Sequence, residues 1–304
     1  MTRTVALQPV WDGYCADPFV LRTAEGYVMY GSAPALLPDG RAFQTLFSAD
    51  LETWTDAGGA LEPAAGAPAG TEYWAPEVVA ANGLYWMYYS SGVSDVGHQL
   101  RVAKATDPLG PFWDVGVILT PDLPFAIDPS PFRDADGSWW LFFATDFLDS
   151  ARPGTVLAVS AMNDMTSLGE TQIVLTAFAD WQRYEACRQI YRQVRDWHTL
   201  EGPTVVRRGD RYWMTYSGGN WHNAGYGVGL ATAERLGGPW TPYGEGAAFL
   251  NSADSGLTGP GHNSLFSADG GNFAVFHAWD PSGTRRRPYI ERVTWGVTGP
   301  ALHS

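Results

Sequence analysis

The sequence predicts an all-β fold, a single-domain five-bladed β-propeller over residues 1–304. Three observations predict it. An aromatic-rich strand recurs five times: GYVMYGS from Gly26, GLYWMYYSSG from Gly83, GSWWLFFAT from Gly137, DRYWMTYSGG from Asp210 and GNFAVFHAW from Gly271. Each copy is flanked by a turn-marked segment before it and a further strand-like segment after it. The composition, with 35 Gly, 21 Pro and 45% hydrophobic residues, suits a β protein with many turns and a chain long enough to bury a large core.

The elements follow one order within each repeat. The leading strands are CADPFVLRT from Cys15, WAPEVVAAN from Trp74, IDPSPFRDADG from Ile127, LEGPTVVRRGD from Leu200 and GPGHNSLFSADG from Gly259. The aromatic strand comes second. Third come TLFSADLETWTDAG, LRVAKATDPLGPFWDVG, VLAVSAMNDMTSLGE, VGLATAERLGGPWTPYG and YIERVTWGVTG. The rhythm breaks once, between Ala179 and His198, where an Arg-, Tyr- and Trp-rich stretch carries a weak helical period from Tyr184 to Val194. It is expected to form an excursion on one face of the ring. Loops above a rigid scaffold shape ligand sites, so Trp181, Trp197 and His198 are candidates for substrate contact, as is Trp221; packing of the loop's own aromatics explains them equally well.

Net charge and cysteine content narrow the function classes. A formal charge of −13 opposes binding to nucleic acid, although solubility alone explains it. Cys15 and Cys187 are too few for a disulfide framework and read as reduced thiols, and no Cys/His spacing resembles a zinc site. No apolar run approaches the ~18 residues of a membrane span, and Met1–Val10 lacks a signal peptide's apolar core. The expected location is the cytoplasm, or outside the cell if a leader has been removed. The oligomeric state is left open.

In a propeller the leading strands line the central axis, so polar residues at one end of them converge on one funnel. Here those are Asp17, Glu77, Asp128, Glu201 and His262. Asp beside Pro also starts turns, but position in the repeat separates Asp17 and Asp128 from Asp107 and Asp280. Several carboxylates beside Trp74 suit glycoside hydrolysis, which needs one carboxylic acid to protonate the leaving oxygen and one carboxylate to activate water or attack the sugar. A third acid nearby can keep the proton donor protonated near neutral pH.

The succession ADP (Ala16 to Pro18), YWAPE (Tyr73 to Glu77), IDPSPF (Ile127 to Phe132), HTLEGP (His198 to Pro203), YSGG (Tyr216 to Gly219) and GPGHNS (Gly259 to Ser264) resembles glycoside hydrolase family 43 over nearly the whole chain. The resemblance implies an inverting mechanism on a five-bladed propeller. It makes Asp17 the general base, Glu201 the general acid and Asp128 the group that orients the sugar and raises the pKa of Glu201. It also makes Trp74 a pocket wall and puts His262 on the axis, where some relatives hold a water or a calcium ion. No cofactor is required. An arginine from the fifth blade is expected in the pocket; Arg285, Arg286, Arg287 and Arg292 are available, and Arg287 is the choice. Glu77 is expected to support the site more than to bind sugar, and His277 and Trp279 to be structural.

The acid triad does not name the sugar, because relatives include arabinofuranosidases, xylosidases, arabinanases and galactan-cleaving enzymes. A small oligosaccharide is the expected partner, with exo-acting release of terminal α-L-arabinofuranose favoured and β-D-xylose or arabinan cleavage as alternatives. A retaining fructan-type hydrolase fits poorly, because Ala16, Ile127 and Gly202 stand where that group usually has Asn, Arg and Cys. A non-catalytic sugar-binding propeller would be expected to lack one of the three acids.

Overall fold

The computed structural model describes residues 7–94, 96–296 and 299–303; residues 1–6, read above for a leader, lie outside these. Strands make up nearly all of the regular structure. The first four are β1 (Ala16–Arg22), β2 (Tyr27–Ser32), β3 (Ala42–Ser48) and β4 (Thr55–Glu62). They are followed by β5 (Thr71–Ala81), β6 (Leu84–Val93), β7 (Val96–Ala105) and β8 (Phe112–Ile118). The third set is β9 (Ala126–Arg133), β10 (Trp139–Phe147), β11 (Gly154–Asp164) and β12 (Ser167–Leu175). After β13 (Arg183–Ile190) come β14 (Gln193–Arg208), β15 (Arg211–Gly218), β16 (Gly227–Ala233) and β17 (Thr241–Tyr243). The last set is β18 (Thr258–Ala268), β19 (Gly271–Trp279), β20 (Arg286–Gly296) and β21 (Gly299–Leu302). Among the described residues the only helices are single turns at Asp180–Gln182 and Ser252–Ser255.

Within each set the strands pair antiparallel in chain order. Each leading strand, aromatic strand and third strand read from the sequence is present, and a fourth strand completes each quartet. These outer strands share no common signature, since Phe112-Trp113 opens β8 whereas β4 has no aromatic residue, and several run on from the third segment read from the sequence. Two-residue turns join some of the neighbouring strands. Asn82-Gly83, with φ of 54° and 75°, turns β5 into β6, since Asn-Gly tolerates the left-handed backbone that a two-residue hairpin needs.

The quartets merge into three hydrogen-bonded sheets of eight, nine and four strands. Short parallel bridges make the joins, β4 to β8 at Leu61↔Phe112 and Glu62↔Trp113, and β11 to β14 at Gly154↔His198 and Thr155↔Thr199. The apolar core is divided among the junctions between quartets. Val28, Phe43, Met87 and Phe112 fill the first junction, and Tyr88, Leu100, Leu141 and Phe143 the second. Phe142, Leu157, Met214 and Trp240 fill the third, and Val228, Leu230, Phe276 and Tyr289 the fourth. Val20, Met29, Leu46 and Val275 join the fifth quartet back to the first. The leading strands follow the same circuit, each against the next and β18 against β1.

The weak helical period over Tyr184–Val194 does not form a helix: this segment of the excursion is the hairpin of β13 and the start of β14. Tyr191 and Arg192, at φ of 50° and 60°, make its two-residue turn. Its charged side chains pair across the hairpin, Arg183 with Asp196 at 3.6 Å, or along one strand, Arg188 with Glu185 at 3.6 Å. Cys15 is buried, Cys187 is exposed and both are free.

Candidate active site

Every leading strand carries the same defect. In β1 the register jumps from Ala16↔Ser32 to Phe19↔Tyr30, so Asp17 and Pro18 together face one residue of the partner strand. The same two-against-one bulge holds Ala75-Pro76, Asp128-Pro129, Gly202-Pro203 and His262-Asn263. The first residue of each pair is left-handed, with φ of 49°, 50°, 59°, 53° and 46°. Proline suits the second place in four of them, because a bulged residue has no ladder partner and proline has no N–H to lose.

Positive φ costs a non-glycine residue on the order of 1–3 kcal/mol and persists only where the surroundings hold it. Side chains of the preceding quartet do so. The amide N–H of Asp17 donates to His277 Nδ1 at 3.0 Å, that of Ala75 to Ser32 Oγ at 2.8 Å, that of Gly202 to Asp128 Oδ2 at 2.9 Å and that of His262 to Ser217 Oγ at 2.7 Å. The bulges re-aim Asp17, Asp128 and His262 toward a shared space. They also correct the repeat alignment: Ala75 and Gly202 are the true equivalents of Asp17, whereas Glu201 stands immediately before its bulge and Glu77 immediately after.

Asp17, Asp128, Glu201, Trp74, Trp221 and Arg286 line a cavity of about 370 Å³, with His262 at its wall. Arg286 Nη1 donates to Asp17 Oδ1 at 3.2 Å and its Nε to Tyr14 Oη at 3.0 Å, while the guanidinium lies 4.5 Å from the Trp221 ring centre. Burial pushes the Asp17 carboxyl up, and the Arg286 guanidinium is the strongest of the groups that oppose it. Helped by His262, His277 and a Ser32 hydrogen bond, it holds Asp17 well below the usual carboxylate range. His277 accepts the Asp17 amide through Nδ1, and burial lowers the pKa of both it and His262, opposing the charged imidazolium form of each.

Glu201 has the opposite environment. Burial, with the Asp17 charge adding to it, raises its pKa from 4.5 to about 7, against a 2.5 Å hydrogen bond from Tyr226 Oη and the Arg286 charge. Asp128 is pushed well up by burial and by the charges of Glu201 and Asp17. Thus one carboxylate is held ionised while two carboxyls beside it favour the proton. This split is what paired acid and base chemistry requires.

Three expected contacts are placed elsewhere. Arg287 points away from the cavity and pairs with Asp12 at 3.2 Å and Asp280 at 3.6 Å; its neighbour Arg286 takes the pocket position, because adjacent strand residues face opposite sides. Trp181 lies outside the cavity lining and stacks on Tyr216, its ring against Gly218. His198 is buried at the parallel bridge with Gly154. Glu77 sits beneath the cavity, on a void of about 10 Å³ shared with Asp17, Asp128 and His262. Burial raises its pKa to about 8 against a Ser130 hydrogen bond. Trp197 borders a smaller adjoining cavity.

Sequence reasoning missed Tyr226, which holds Glu201, and His98, which stacks behind Trp74 at 3.6 Å between ring centres. Gly261 is the trace Tyr226 leaves in the sequence, because a side chain there would collide with the Tyr226 ring. The residues around His262 do not fit a calcium ion. Calcium takes six to eight oxygens, whereas His262 offers imidazole nitrogen with its Nδ1 turned to Asp17 at 3.3 Å, and among the described residues no three His, Cys, Asp or Glu side chains are placed to hold a metal ion. The small void suits a water molecule.

Comparison with known proteins places the arrangement in context. The family model Glycosyl hydrolases family 43 matches residues 6–299. A β-D-galactofuranosidase from Aspergillus niger is 30% identical over 99% of this chain and 85% of its own. An extracellular exo-α-(1→5)-L-arabinofuranosidase from Streptomyces avermitilis is 25% identical over 93% of this chain and 60% of its own. Among solved structures, a thermostable family-43 glycoside hydrolase superposes with a TM-score of 0.84 at 27% identity, covering 99% of this chain and 96% of its own.

Proposed function

Because the chain belongs to glycosyl hydrolases family 43, a family of glycosidases, we propose that it is an inverting, exo-acting enzyme that releases terminal α-L-arabinofuranose from small oligosaccharides. We read the quartets as five blades of one propeller domain with the acids in its funnel. The observation that carries the mechanism is the opposed environment of two carboxyls facing one cavity: Asp17 held ionised by Arg286, and Glu201 held protonated by burial.

In the proposed reaction Asp17 takes a proton from a water as the water oxygen bonds to the anomeric carbon. Glu201 gives its proton to the glycosidic oxygen as the bond from that oxygen to the anomeric carbon breaks. One water is consumed, and Asp17 ends protonated and Glu201 ionised until solvent exchange resets them. Asp128 accepts or donates a hydrogen bond to a ring hydroxyl, and Trp74 and Trp221 offer flat faces to the sugar. Arg286 keeps Asp17 ionised and shapes the floor of the site.

A second reading is release of terminal β-D-galactofuranose, favoured by the 30% identity to the Aspergillus niger galactofuranosidase. The extracellular relatives from Streptomyces avermitilis and Cellvibrio japonicus favour secretion over the cytoplasmic location. No helix among the described residues is long and apolar enough to cross a membrane. A panel of aryl α-L-arabinofuranosides, β-D-galactofuranosides and β-D-xylosides tests the sugar, and proton NMR of the first-formed product tests the stereochemistry. Arabinofuranoside cleavage with inverted product is expected; a product of retained configuration, or cleavage of xylosides alone, rejects the proposal.

A further inference from the structure

A second, shallower cavity of about 90 Å³ adjoins the main one. The two share Trp74, Ile127, Glu201 and Trp221, but Asp17, Asp128, Arg286 and His262 belong to the main cavity alone. The hairpin of β13 and β14 builds its outer wall with Tyr184, Arg188 and Trp197. Arg188 lies 5.0 Å from the Tyr184 ring centre and 5.7 Å from that of Trp197, with only 18% of its side chain exposed. Opposite stands Asp146, which accepts hydrogen bonds from Tyr191 Oη at 2.6 Å and Thr155 Oγ at 3.1 Å. Tyr191 is at the hairpin tip, so this bond ties the excursion to β10.

We infer that this hairpin cavity is the leaving-group subsite and that it selects a neutral sugar residue. The inference rests on the glycosidase reading above. A general acid must lie within hydrogen-bond reach of the oxygen it protonates, and an inverting base acts from the opposite face. The departing group therefore occupies the space that touches Glu201 and not Asp17, and this cavity meets that condition. Its chemistry matches a sugar: indole faces at Trp74 and Trp221, a donor at Arg188 backed by the buried Trp197, and an acceptor at Asp146. Arg188 is balanced by Glu185 at 3.6 Å, and a carboxylated sugar would meet Asp146, so the preference is for an uncharged residue. The cavity is far below the 300–1,000 Å³ of larger ligand sites, so it takes one residue of the leaving chain.

The test compares a disaccharide with the methyl glycoside of the same terminal sugar, because methanol leaves this cavity unfilled while needing the same protonation by Glu201. For the full chain we expect kcat/KM to favour α-1,5-arabinobiose over methyl α-L-arabinofuranoside. In Arg188→Met that ratio falls at least tenfold, chiefly through KM for the disaccharide, and Tyr191→Phe lowers it in the same direction by loosening the hairpin. Wild-type enzyme should discriminate at least tenfold against a disaccharide whose leaving residue is a uronic acid, and Asp146→Asn should narrow that gap. An unchanged ratio in Arg188→Met, or equal losses on both substrates at unaltered Tm, overturns the inference. If the enzyme cleaves galactofuranosides or xylosides instead, the arabinofuranose reading falls, and the same ratio on the matched pair still decides the subsite. No turnover on any pair overturns both.

Discussion

Asp17 and Glu201 have the same functional group and opposite protonation, and the difference lies in their partners. Glu201→Ala removes the proton donor, so hydrolysis of oligosaccharides should fall by ~10³-fold or more while a dinitrophenyl glycoside, whose leaving group needs little protonation, loses far less. Asp17→Ala should damage both substrates alike; equal losses for the two variants on both substrates would refute the division of roles. The pH profile follows from the same residue. Glu201 must be protonated, so kcat/KM should fall as pH rises through about 7. The Tyr226 hydrogen bond favours the ionised form, so Tyr226→Phe should move that alkaline limb to higher pH, read from kcat/KM profiles between pH 5 and 9.

At the scale of the element, the bulge in each leading strand turns a structural repeat into a site. Two residues against one bend the strand and carry the first side chain off the regular alternation, and in four of the five the freed amide is caught by the neighbouring quartet. Ser32→Ala leaves the buried Ala75 N–H without a partner and should cost ~1–3 kcal/mol, measurable by denaturant titration. It also removes a hydrogen bond from Asp17, so the acid limb of activity should move upward. The recurrent X-Pro pair is the legible trace of these bulges. Alignment on proline groups Asp17, Ala75, Asp128 and Gly202, whereas alignment on carboxylates groups Asp17 with Glu77 and Glu201, which the strand registers separate.

For the molecule as a whole, converging five strand ends buries several carboxyls in one place, and stability becomes pH-dependent. Glu77 rises from 4.5 to about 8 and Glu201 to about 7, so their ionisation is resisted only in the folded chain. Their contribution is complete below about pH 4.5 and is lost as pH climbs through 7 to 8. Asp17, held low, acts in reverse and weakens the fold only in strong acid. Tm should therefore decline from pH 5 to pH 8, and Glu77→Gln should flatten the decline. A wild-type Tm that is constant across that range would contradict the burial argument.

The sequence by itself determined the all-β class, the five repeats and the residues Asp17, Asp128, Glu201 and Trp74, because strand alternation and X-Pro pairs are local features written in adjacent residues. Tertiary structure decided what depends on direction and distance. Arg286 and not Arg287 meets Asp17, since a one-residue step along a strand reverses the side chain and no composition distinguishes three successive arginines. The 179–198 excursion became a hairpin because its pairing partners lie across a turn and against β10, outside the reach of a helical period. The proton-holding state of Glu201 came from burial among strands more than a hundred residues apart, an environment that exists only once the chain has closed on itself.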